Sequence, residues 1–157
     1  MKVSPDGWFR AHVPVRFRDL DPMGHAHHTL PLIYLEETRA AFWRGLKHSA
    51  SLDEIDYVMA EVTLRYHARI RFPSTVVVGL AVRRVGAKSF ITDFEVRAES
   101  GELLSSGSAV QVAYDYAAGR SKPLDDATRE QLERWRDAAQ NSSAMVADAR
   151  PINPPST

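Results

Sequence analysis

The chain of 157 residues contains no cysteine. That absence excludes disulfides, thiolate nucleophiles and Cys-ligated zinc. An excess of charge of either sign is missing too: 20 Lys and Arg offset 20 Asp and Glu, for a formal net charge of zero. No general electrostatic pull toward nucleic acid or membrane is therefore expected. No apolar run approaches the roughly 20 residues that a membrane-spanning helix needs. The start, MKVSPDGWFR, lacks the apolar core of a signal peptide. A soluble, cytoplasmic protein is the expectation. There is neither a Gly-rich phosphate loop nor a G-x-S-x-G elbow, so a Ser-based hydrolase is not expected. Nor is there an internal repeat.

What is present has the makeup of one soluble globular domain, 44% apolar and 25% charged. Residues 1–138 are read as that domain. Residues 139–157 are rich in Ser, Pro and Asn and are expected to be a disordered tail. Trp8 to Arg18 alternates apolar and polar residues, the signature of a half-buried strand, and a helix is expected from about Leu30 to Leu46. Ser51 to Asp56 reads as a short helical turn or loop. From Tyr57 the period switches to strands. Val62, Leu64, Tyr66, Ala68 and Ile70 alternate with charged and polar residues, and further strands are expected at Thr75–Val85, Ser89–Ala98 and Leu103–Tyr116. A last helix, Asp125 to Ala138, opens with acidic residues. Pattern alone supports an α+β fold with a meander of antiparallel strands. The outer side of the first helix carries Ile33, Ala40 and Trp43, and an open sheet has exposed edges. A homodimer or homotetramer would cover both.

The stretch VRFRDLDPMGHAHHTLPLIYLEETRAAFWRGL, Val15 to Leu46, carries the chemistry. Asp19 and Asp21 continue the strand alternation, so both carboxylates are expected on the side of Val15 and Phe17, and Pro22 and Gly24 break the strand. Thr29 is the expected N-cap, with Pro31 in the first helical turn. Carboxylates and imidazoles thus come to lie beside a helix start, where free backbone N–H groups can hold a developing negative charge. A turn role for Asp21, with its side chain bonded to local backbone N–H groups, is the bland alternative. His25, His27 and His28 with Asp19 and Asp21 fit no zinc template, because the adjacent His27 and His28 do not readily converge on one ion. No metal is expected.

The run Asp19-Leu20-Asp21-Pro22-Met23-Gly24-His25, followed by His28 and Tyr34-Leu35-Glu36-Glu37, resembles the signature of the hotdog-fold acyl-CoA thioesterases, and among them the 4-hydroxybenzoyl-CoA thioesterase family. The resemblance spans roughly Arg10 to Leu132. It implies a curved antiparallel sheet of about five strands wrapped around a long central helix, dimers or higher assemblies, and active sites at the subunit interface. It implies Asp21 as nucleophile or general base toward water. It implies His28 as a helper whose backbone N–H also donates to the thioester carbonyl. Gly24, His25 and Thr29 are the implied substrate-binding residues of the same loop. Lys88 and Ser89, in the run Lys88-Ser89-Phe90, match a segment that some relatives place near the nucleotide phosphates of coenzyme A. Glu36 and Glu37 are read as solvated acids that pair with Arg39 or Arg44.

The resulting expectation is an acyl-CoA or acyl-carrier-protein thioesterase. It needs no cofactor, since coenzyme A enters as part of the substrate, and its partner is that small molecule rather than nucleic acid or membrane. A hotdog enoyl-CoA hydratase or dehydratase, and a non-catalytic acyl-thioester-binding protein, are the alternatives. The turn Phe72-Pro73-Ser74-Thr75 and the loop His27-His28-Thr29 depart from the family pattern.

Overall fold

A computed structural model of the chain describes residues 1–49, 51 and 55–148. The strands are β1 (Trp8–Pro14), β2 (Tyr57–Tyr66), β3 (Thr75–Val85), β4 (Ser89–Ala98), β5 (Leu103–Asp115) and the short β6 (Arg120–Ser121). They form one antiparallel sheet in the order β1-β3-β4-β5-β2, with β6 on β5. Helix α1 (Leu30–Lys47) joins the two edge strands β1 and β2. Its buried residues include Leu30, Tyr34, Leu35, Thr38, Phe42 and Leu46, spaced as one helical stripe. They meet the inward residues Val78, Leu80 and Val82 of β3 and Phe90, Phe94 and Val96 of β4. The expected long helix against an antiparallel sheet is therefore what the chain forms.

Helix α2 (Asp126–Asp148) closes the end of this core. Phe9, Phe42 and Trp135 meet ring to ring, with Phe42 and Trp135 centroids 5.4 Å apart. Asp125 caps α2: the Thr128 N–H donates to its Oδ1 at 2.8 Å, and Lys47 Nζ sits 2.8 Å from its Oδ2. Burial works to raise the Asp125 pKa, but Lys47 and Thr128 outweigh it and hold the carboxyl well below the ordinary carboxylate range. A depressed folded-state pKa stabilises the fold above the unfolded value of about 3.9, and that stability is lost as pH falls further. Asp125→Ala should cost about 1 kcal/mol at neutral pH. The gap from wild type should narrow below pH 4, as read by thermal unfolding across pH.

Four expectations change here. The first strand ends at Pro14 rather than Arg18, and Phe17–Asp19 form a single 3-10 turn. Phe17 consequently points to solvent at 77% exposure while Asp19 is buried, so the two do not share a face. The turn closes because the Asp19 N–H bonds to the Arg16 carbonyl while Asp19 Oδ2 accepts from the Arg16 N–H. Trp43 is not on the outer side of α1: it is 1% exposed, stacked on Phe90 at 5.4 Å, and its Nε1 donates to Asp56 Oδ1. Asp56 and Tyr57, at the start of β2, cover that flank of α1. Strand β2 stops at Tyr66, leaving Ala68 and Ile70 in the connection to β3. Finally, α2 runs ten residues past Ala138, so 139–148 are helical rather than tail. The penalties for Asn141, Ser142 and Ser143 in a helix are each under about 0.7 kcal/mol, and Gly7 packs directly on the Ala139 backbone. The rest of the expected tail, 149–157, lies outside the described residues, as do 52–54 of the expected turn before β2. Among the described residues no helix is long and apolar enough to cross a membrane.

Candidate active site

The connection from the 3-10 turn to α1 is pinned to the chain entering β3. The Ala26 N–H donates to the Ile70 carbonyl at 2.9 Å, and His25 bridges Arg71. Within it, Asp21 to Gly24 form a turn closed by the Gly24 N–H on the Asp21 carbonyl at 3.0 Å. Gly24 has φ +79°, which favours glycine, although a Cβ there would meet no neighbour. Asp21 Oδ1 accepts from the Met23 N–H at 2.9 Å, which is the local turn bond of the bland reading. Its Oδ2 has no hydrogen bond among the described residues and lies 3.8 Å from His25 Nδ1. The Asp21 side chain is only 8% exposed. One carboxylate oxygen thus orders the turn, and the other remains available to chemistry.

Asp21 lines a cavity of about 300 Å³ together with His25, His28, Pro31, Tyr66 and Ser105, among others. His28 is exposed, with its ring against His27 at 3.9 Å between centroids. Its carbonyl accepts from the Tyr66 hydroxyl at 2.5 Å, while its own N–H has no partner among the described residues. An unpaired N–H next to a helix start is an anion-binding group. Ser105 Oγ is buried in the cavity wall without a partner. A buried unpaired hydroxyl is costly unless water or a ligand reaches it. Asp21, His28 and Ser105 therefore line one cavity.

Asp19 does something different. Its Oδ2 accepts from the Tyr34 hydroxyl at 2.7 Å and from the Arg16 N–H at 2.9 Å, away from the cavity. Burial, reinforced by Asp19, pushes the Tyr34 hydroxyl well above the ordinary phenol range. Asp19 is a structural anchor that ties the loop to α1.

The other candidates divide. His25 lines the cavity, whereas Gly24 serves the turn and Thr29 does not line the wall. Thr29 makes no side-chain cap; its hydroxyl bonds His27 Nδ1 at 3.0 Å. Lys88 and Ser89 are not brought to this cavity within the chain. Ser89 pairs with Val112, seven residues along β5 from the cavity residue Ser105, or about 23 Å at strand rise. Glu37 pairs with Arg16 at 3.0 Å rather than with Arg39 or Arg44. Glu36 lines a separate cavity. Tyr66 and Ser105 were not singled out from sequence. The run Ser105-Ser106-Gly107-Ser108 in an otherwise apolar strand was the available signal, but it does not say which hydroxyl faces a cavity.

A family model described as the thioesterase-like superfamily matches residues 15–132. A structure described as a thioesterase complexed with coenzyme A and Zn, from Thermus thermophilus, is 31% identical over 82% of this chain and 93% of its own, with a TM-score of 0.71. A thioesterase superfamily structure from Jannaschia sp. CCS1 is 25% identical, covering 82% of this chain and 83% of its own at a TM-score of 0.73. A DHNA-CoA thioesterase from Staphylococcus aureus covers 92% of this chain and 97% of its own at a TM-score of 0.68. Its identity of 19% speaks for the fold alone. No curated protein matches the chain.

Proposed function

This chain belongs to the thioesterase-like superfamily and is a hotdog-fold thioester hydrolase, and from that premise we propose that it hydrolyses acyl-coenzyme A thioesters with Asp21 as the essential group. The observation that carries the assignment is that one cavity is lined by both Asp21, whose Oδ2 makes no hydrogen bond among the described residues, and His28, whose N–H is unpaired among them. The thioester carbonyl oxygen docks on that N–H, which Tyr66 orients through the neighbouring carbonyl. A water beside Asp21 attacks the carbonyl carbon as its proton passes to the Asp21 carboxylate. Collapse of the tetrahedral intermediate breaks the C–S bond, and the proton goes to the departing sulfur. His25, beside Asp21, and the exposed His28 ring polarise the same site. No dissociable cofactor is required; coenzyme A is part of the substrate.

The test is thiol release from a panel of acyl-CoA and acyl-carrier-protein thioesters of varied length and aromaticity. At least one should be cleaved well above the buffer rate. No release from any of them, with water added instead to an enoyl-CoA, would transfer the site to hydratase chemistry.

A second copy of the chain completes the assembly in this reading. Ile33, Tyr66, Met23 and Phe17 are large and exposed, Met23 and Tyr66 at the site itself, and β2 is an edge strand with no outer neighbour among the described residues. Light scattering at micromolar concentration should give at least twice the mass of one chain. A folded monomer would argue against a shared site.

A further inference from the structure

A second cavity, of about 370 Å³, opens between α1 and β2. Leu32, Leu35 and Ala40 from α1 and Ile55, Val58 and Val62 opposite make its walls apolar. Arg39 also lines it, yet is only 7% exposed. The guanidinium carbon stands 5.1 Å from the Tyr57 ring centroid, and Nε is buried without a hydrogen-bond partner. No carboxylate among the described residues forms an ion pair with Arg39. Glu37 is turned away to Arg16, and Glu36 is exposed at the rim, where solvent screens it.

A buried cation needs an anionic partner, and stacking on one aromatic ring offsets only part of its desolvation. Here an Arg with no ion pair among the described residues lines an apolar space large enough for a ligand. A guanidinium fork matches a carboxylate with two parallel hydrogen bonds. A phosphate brings more charge and acceptors than one Arg among aliphatic walls can meet. The cavity therefore suits an apolar body ending in a single carboxylate.

Its position gives the body an identity. His28 and Pro31 line the catalytic cavity, and Leu32, Leu35 and Arg39 continue along the same helix into this one. The eight steps along α1 from Pro31 to Arg39 span about 12 Å at helical rise. Along β2, Tyr66 lines the first cavity and Val62 the second. We propose that this cavity receives the distal end of the acyl group, and that this end carries a carboxylate held by Arg39. The preferred substrates are then half-thioesters of dicarboxylic acids. This inference rests on the hydrolase reading for its site, but its ligand can be tested without turnover.

The experiment compares kcat/KM for length-matched pairs: succinyl- with butyryl-CoA, adipyl- with hexanoyl-CoA, and suberyl- with octanoyl-CoA. It also measures the free acids suberate and octanoate by calorimetry. At the best length the carboxylated thioester should be favoured at least tenfold. Arg39→Met should bring that ratio near one, and Arg39→Lys should keep part of it. Suberate binding should weaken at least tenfold in Arg39→Met, with octanoate affected less. Wild-type indifference to the distal carboxylate, or a preference that survives Arg39→Met, overturns the proposal. If Arg39→Met does not fold, the wild-type pairs still decide it. Arg39-dependent suberate binding without cleavage of any thioester keeps the anion site and removes the hydrolase reading. Cleavage of plain thioesters without suberate binding does the reverse. Dissociation of an oligomer by Arg39→Met, with no suberate binding, assigns the guanidinium to a subunit contact and also overturns the proposal.

Discussion

Asp21→Asn should lower kcat for thioester hydrolysis by on the order of a hundredfold or more, the usual loss when a general base is removed. It should leave the fold nearly unchanged. The reason is the division of labour between the two carboxylate oxygens. Oδ1 holds the turn through the Met23 N–H, and an Asn carbonyl can take over that bond. Oδ2 makes no hydrogen bond among the described residues, and its basicity is what the substitution removes. An interaction used only in the transition state lowers kcat and kcat/KM together, so KM should move little. The measurements are steady-state thiol release and a thermal melt on the same preparation. Near-normal kcat with an unchanged melt would remove Asp21 from the chemistry and leave it a turn residue.

Asp19→Ala should have the opposite profile: a severe loss of stability with turnover impaired only through the loop. Asp19 is 7% exposed and accepts from the Tyr34 hydroxyl and the Arg16 N–H. Hydrogen bonds to a charged group contribute about 1.5–3 kcal/mol each. Deletion would strand a phenol and a backbone N–H where water reaches poorly. A combined loss of about 4 kcal/mol corresponds to a fall in Tm of roughly 10 °C for a chain of this size. Tyr34→Phe removes only one donor and should lose less. A variant that melts like wild type but has lost kcat by a hundredfold would mean that Asp19, and not Asp21, faces the substrate. The contrast between these two aspartates separates chemistry from architecture in this loop.

The amino-acid sequence by itself determined the order of the elements. Alternation along β2 and β4 and the apolar stripe of α1 are local periodicities, and a local period dictates which residues of one element share a face. The turn at Asp21–Gly24 was legible because Pro22 and Gly24 favour a turn wherever they stand, although the strand before it had already ended at Pro14. What covers an element is a different matter. Trp43 read as outward until Asp56 and Tyr57 covered it. Asp19 and Phe17 read as sharing a face until backbone hydrogen bonds bent the strand end into a 3-10 turn. Lys88 and Ser89 carried a plausible motif, yet the register of β4 on β5 sets them at the far end of the sheet from Ser105. Arg39 read only as a partner for Glu36 or Glu37, and the spacing said nothing of the cavity it lines. Each of these outcomes depends on residues far apart in the chain meeting at short range. A periodicity of two or 3.6 residues has no reach over such distances, so only the tertiary structure decided them.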